Sequence, residues 1–131
     1  LINVSNNLLQ NNRIIGNYTE YLAEKFLVKQ GFLILYNNFY TRYGELDIVC
    51  MRSGELFFFE IKSVSCKTFL FRKISGIDHV SCEKVAKLQK TASEFIAKYY
   101  PEYINTSTSL YVLEVIFFQK TTYEIYMYKI L

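Results

Sequence analysis

The tightest constraint in this sequence is a hairpin. Two runs rich in aromatic and β-branched residues, 45–52 and 55–64, flank the dipeptide Ser53-Gly54, and a small residue followed by Gly between such runs is a two-residue turn signal. With Ser53 and Gly54 as the loop, Arg52 stands opposite Glu55, and counting back sets Asp47 opposite Glu60 and Glu45 opposite Lys62. Those four share a face with Val49, Met51, Leu56, Phe58 and Val64, while Leu46, Ile48, Cys50, Phe57, Phe59 and Ile61 line the other. Both faces are largely apolar, the pattern of a sheet covered on both sides. Helices must pack above and below it.

The chain supplies one helix for each face. Asn17 has the chemistry of an N-cap, Glu20 completes a capping box, and Tyr18, Tyr21, Leu22, Phe26 and Leu27 recur at helical spacing until Gly31. Before it, residues 1–15 are Asn-rich without clear period, a loosely ordered arm or a short helix around Leu8 and Leu9. Phe32–Tyr36 is a short strand. Residues 65–80 form a long connection carrying Lys67, Phe69, Phe71, Arg72, Lys73 and His79, too long for a turn and therefore mobile or functional. Ser81 caps a second helix, in which Val85, Leu88, Ala92, Phe95, Ile96 and Tyr99 face the core and Lys84, Lys87 and Lys98 a solvated flank, until Pro101 stops it. Leu110–Phe118 and Tyr123–Leu131 make a last hairpin turned at Lys120–Thr122, its many Tyr and Phe serving as sheet core or as a subunit contact, which leaves a homodimer open, with base stacking the lesser alternative. The expectation is a single α/β domain over residues 1–131: a mixed five-stranded sheet with helices on both faces.

Composition narrows the class. A chain that is 51% hydrophobic and 21% charged has enough apolar surface to fold, which excludes wholesale disorder. Cys50, Cys66 and Cys82 form an odd set without a CxxC pair, so reduced, buried thiols of a cytoplasmic protein are expected in place of a disulfide framework or zinc ribbon. The most apolar stretch, Phe26–Tyr36, is too short to cross a membrane and is broken by Lys29 and Gln30, and the first dozen residues lack the apolar region of a signal peptide. The formal net charge of +3 says little, but residues 61–100 carry +5 and the remainder −2. That basic segment suits a polyanion.

Two carboxylates directly across a hairpin lie about 5 Å apart, and at an effective dielectric near 20 they repel by roughly 3 kcal/mol. Lys62 on the same face compensates in part. A hard divalent cation does better, since Mg²⁺ takes one or two carboxylates together with water and phosphate oxygens.

The set Gly44-Glu45-Leu46-Asp47 followed by Glu60-Ile61-Lys62 resembles the PD-(D/E)xK nuclease superfamily. With Gly16, Glu20, Ala23, Gly31, Asn38, Arg42, Phe59, Val80 and Lys84 it resembles one branch in particular, the YraN-like family. The resemblance implies a three-layer restriction-endonuclease-like fold and Mg²⁺- or Mn²⁺-dependent hydrolysis of nucleic acid, DNA in preference to RNA. It makes Asp47 and Glu60 metal ligands with the Ile61 carbonyl as a third, Lys62 the residue that holds the attacking water, Glu20 an additional acid and Lys84 a phosphate-facing residue. Arg42, Lys67, Arg72, Lys73 and Lys87 join Lys84 as candidate nucleic-acid contacts. Tyr40 and Val64 stand where the family usually has Arg. The alternative is a catalytically silent nucleic-acid-binding module on the same fold.

Overall fold

Helical spacing in the first thirty residues closes into one element, α1 (Val4–Lys29), uninterrupted at Asn17. In the computed structural model, which describes residues 4–65, 80–119 and 121–131 and side chains from residue 16 onward, Asn17 is thus a helix-interior residue. Asn disfavours a helix by only tenths of a kcal/mol, so a helix held by packing at Leu22, Ala23 and Leu27 runs back through the polar residues. The capping explanation of Glu20 falls away with this. Gly31, at a φ of 87°, ends the helix as expected, and its amide donates to the Val28 carbonyl.

The sheet comprises β1 (Leu33–Thr41), β2 (Gly44–Arg52), β3 (Glu55–Ser65), β4 (Ser109–Phe117) and β5 (Tyr123–Lys129), lying side by side in chain order. All neighbours are antiparallel except β3 and β4, which are parallel and therefore need a crossover. That crossover carries α2 (Cys82–Tyr99). Ser53 and Gly54 both take positive φ, 52° and 76°, the backbone a two-residue turn requires to match strand twist. β1 runs beyond the expected Phe32–Tyr36 through Asn37 and Asn38 to Thr41. Asn38 adopts a φ of 55°, a conformation Asn tolerates better than most residues.

Ala23 and Leu27 of α1 pack on Ile48, Cys50, Phe57, Phe59 and Leu113 on one face of the sheet. Leu88, Ala92, Phe95 and Ile96 of α2 pack on Phe39, Val49, Leu56, Phe58 and Leu110 on the other. This is the expected three-layer α/β arrangement, a mixed five-stranded sheet with a helix on each face. Phe95 anchors the α2 side, meeting Phe39, Tyr36 and Phe58 edge-on at 5.2, 5.7 and 5.9 Å. The Ser81 hydroxyl accepts the Lys84 amide at 3.1 Å, so the expected cap is present.

Two expectations change. Leu46 packs with Val49 on the α2 face and not with Ile48 and Cys50, so strand alternation slips at Asp47. Cys82 is exposed, whereas Cys50 is buried, and burial pushes the Cys50 thiol up to about 12. The connection at 65–80 lies, for residues 66–79, outside the described residues, as do Lys67, Arg72 and Lys73 within it. Among the described residues no helix is long and apolar enough to cross a membrane.

Candidate functional site

The paired ladder between β2 and β3 ends at Ile48 and Phe59. Beyond that point β2 and β3 pair no further with each other, while each keeps its other neighbour: Glu45 lies opposite Tyr40 of β1, and Lys62 opposite Glu114 of β4. Glu45 and Lys62 are therefore not cross-strand partners, and Asp47 closes no ladder pair with Glu60. Its Oδ2 accepts the Ile61 amide at 2.7 Å instead. Two adjacent carboxylates repel, and opening the ladder here lets Asp47 turn from Glu60 towards a backbone donor. The slip that moves Leu46 to the other face belongs to the same local opening.

The electrostatics follow from this geometry. Burial pushes the Asp47 carboxyl up to about 7; the Ile61 amide works against the shift, and the charges of Glu60, Glu45 and Glu20 add to it. Glu20, which comes from α1, thus acts on Asp47 through space. The Glu45 charge, with burial and a hydrogen bond to Glu45 behind it, holds the Tyr40 phenol above its ordinary value, and Glu20 and Asp47 push the same way. Four elements gather these five side chains: α1, β1, β2 and β3.

Glu60 completes the acidic group. Its Oε1 lies 3.3 Å from the Lys84 ammonium, so Lys84 is not the solvated flank residue its helical position suggests. Its Oε2 is buried without a hydrogen-bond partner, an expensive arrangement for a carboxylate oxygen. Lys62 is half-buried and, by strand alternation, lies on the same face as Glu60. Glu114, in register with Lys62, is wholly buried and was not among the expected site residues. Its signal in the sequence is a lone acid inside the apolar run Leu110–Phe118.

The other basic candidates make contacts of their own. Arg42, in the β1–β2 turn, stacks over the Tyr43 ring at 4.8 Å and donates to its hydroxyl at 2.6 Å. Lys90 of α2 lies over the same ring at 5.2 Å, a contact the sequence pattern did not single out. The Thr41 and Thr91 hydroxyls, 3.2 Å apart, join that turn to α2. Lys87, one turn beyond Lys84, pairs with Glu83 at 3.2 Å.

Among the described residues, no three Asp, Glu, His or Cys side chains converge as a ready cage for a metal ion. The donors available to a hard cation are the two carboxylates Asp47 and Glu60, with backbone carbonyls such as that of Ile61. The donor set is all oxygen and short of positive charge, which fits Mg²⁺ or Mn²⁺ completed by water and phosphate, and not a softer ion.

Comparison with known proteins gives the family of the chain. The model of a family described as "Uncharacterised protein family UPF0102" matches residues 19–118. A UPF0102 protein of Syntrophomonas wolfei is 36% identical over 94 residues, covering 70% of this chain and 78% of its own. One from Thermotoga petrophila is 41% identical over 73 residues, 56% of this chain and 62% of its own. Another, from Clostridium novyi, is 33% identical over 107 residues, 80% of this chain and 82% of its own.

Proposed function

This chain belongs to the UPF0102 family, the YraN family of the restriction-endonuclease-like superfamily, and from that premise we propose that it is a metal-dependent nuclease hydrolysing phosphodiester bonds of nucleic acid, DNA in preference to RNA. The observation that carries the reading is the acid pair: Asp47, half-buried with the charges of Glu60, Glu45 and Glu20 around it, beside a Glu60 oxygen that is buried without a donor. Asp47, Glu60 and the Ile61 carbonyl are the residues that would hold Mg²⁺ or Mn²⁺. When bound, such an ion polarises the phosphate and lowers the pKa of an attacking water.

The chain's own residues do the rest. The Ile61 amide fixes the Asp47 carboxylate in the gap between β2 and β3, so one ligand is oriented before any substrate arrives. Lys62 positions the attacking water as a donor, and Glu20 is a further acid near the pair. Lys84 serves two roles: it balances Glu60 in the resting chain and turns to a phosphate when the acid pair is otherwise neutralised. Its side chain is 40% exposed, which leaves that movement open. Arg42 and Lys87 meet the flanking backbone, with Lys67, Arg72 and Lys73 as further contacts.

A second reading rests on the same ion pair. A Lys84 that permanently neutralises Glu60 stands in for a cation, and the domain is then a catalytically silent nucleic-acid-binding module. Labelled single-stranded, duplex and branched DNA, and RNA, incubated with Mg²⁺ or Mn²⁺ and with EDTA, separate the two. The nuclease cleaves at least one substrate, stops in EDTA and retains binding there. Binding with no cleavage of any substrate selects the silent module.

A further inference from the structure

α1 presents two chemically different flanks to the sheet. Glu20 and Glu24 lie towards β1, where Glu24 accepts a hydrogen bond from the Asn37 amide. A helical rotation away, Tyr21, Lys25 and Lys29 lie towards β5, and there α1 and β5 leave a groove of about 350 Å³. That volume is near the low end of the roughly 300–1,000 Å³ range of small-ligand sites. Among the described residues its lining includes Tyr18, Tyr21, Lys25, Lys29, Tyr123 and Ile125, two ammonium groups and no carboxylate.

Three features of this groove point to one class of occupant. Tyr18, Tyr21 and Tyr123 keep 37, 51 and 38% of their surface exposed, and Tyr18 and Tyr123 are backed by Phe117 at 6.0 and 6.1 Å, so the rings form a propped aromatic wall. The Lys25 ammonium sits 4.9 Å from the Tyr21 ring centroid, which puts a cation and a π-face at the same spot. Two lysines without an acid leave the lining positive, so the complementary ligand is an anion with a flat face. An unpaired nucleotide has both parts: a base to stack on tyrosine and a phosphate for the lysines. A duplex holds its bases inside the stack and cannot offer the first.

We infer that the α1–β5 groove binds an unpaired nucleotide of a single-stranded nucleic acid, on the flank of α1 opposite the acid pair. The base stacks on Tyr21 and Tyr123, displacing the Lys25 ammonium from the Tyr21 ring, and Lys25 and Lys29 meet the adjoining phosphates. This site is distinct from the acid cluster and does not depend on cleavage: a chain that binds here and cleaves nothing overturns the nuclease reading and leaves this one standing.

The test is fluorescence anisotropy of a fluorescein-labelled oligo-dT in EDTA, so that no metal-dependent step intervenes. Tyr21→Ala, Tyr123→Ala and Lys25→Glu should each weaken binding about tenfold or more, and Tyr21→Phe should retain it. All alter exposed side chains, and circular dichroism confirms that each variant has folded. Polyglutamate at equal charge should fail to displace the oligonucleotide. Variants that bind oligo-dT as the parent does would overturn the inference, and so would displacement by polyglutamate, which would mark the groove as a docking surface for an acidic protein.

Discussion

Asp47 binds its proton more tightly in the folded chain than in the unfolded one, because burial and three neighbouring carboxylates lift its pKa from 3.8 to about 7. Between those two values the folded state carries the extra proton, so stability is highest at the acid end and falls as pH rises through that window. The expected loss in metal-free buffer is a few kcal/mol, at about 1.4 kcal/mol for each tenfold change in proton affinity. Asp47→Asn should flatten that part of the pH–stability curve and, at pH 8 in EDTA, melt at or above the parent. Urea unfolding at a series of pH values measures both; a variant that retains the slope places its origin in another group. Lys62→Ala should behave differently, abolishing turnover while metal affinity is kept, since an ammonium is not a ligand. The acids Asp47 and Glu60 were legible in the sequence because their spacing around Ser53-Gly54 is local. Glu114 was not, because its proximity to Lys62 arises from a parallel pairing between strands separated by a whole crossover.

At the scale of elements, α2 is fastened to the sheet by apolar packing, by the Thr41–Thr91 and Lys90–Tyr43 contacts and by the Lys84–Glu60 ion pair at the site. Phe95→Ala should cost about 3–5 kcal/mol, because the ring fills the space among Phe39, Tyr36 and Phe58. Lys84→Met tests the charged contact. It leaves the half-buried Glu60 carboxylate without its cation, so the variant should melt below the parent in EDTA and recover with Mn²⁺. A melt unchanged in EDTA would mean that the ion pair carries no weight in docking α2. The β2–β3 hairpin and α2 were legible from turn chemistry, a Ser cap and apolar spacing, all of which are local. The amino-terminal half of α1 was not, since Asn-rich helix depends on the packing of the residues that follow. The ladder opening at Asp47 was equally hidden: a two-residue turn implies pairing of β2 and β3 to their ends, whereas their ladder stops at Ile48 and Phe59.

For the molecule as a whole, the fold sorts charge more sharply than composition does. A chain of net charge +3 sets Asp47 and Glu60 together where the β2–β3 ladder ends, with Lys84 of α2 on Glu60, and brings Arg42 of the β1–β2 turn and Lys90 of α2 to the Tyr43 ring. Nucleic-acid affinity should therefore fall steeply with salt, and Lys84→Glu with Lys87→Glu should weaken it and reduce the slope. Binding that ignores salt would remove the electrostatic part of the account. The most direct test of the central claim, that Asp47 and Glu60 form a metal centre, is titration of Mn²⁺ followed by the electron paramagnetic resonance of the free ion. The parent should take up Mn²⁺ at this site, Asp47→Asn and Glu60→Gln should lose that uptake, and Lys62→Ala should retain it. Equal uptake by the parent and by both acid variants would contradict the claim.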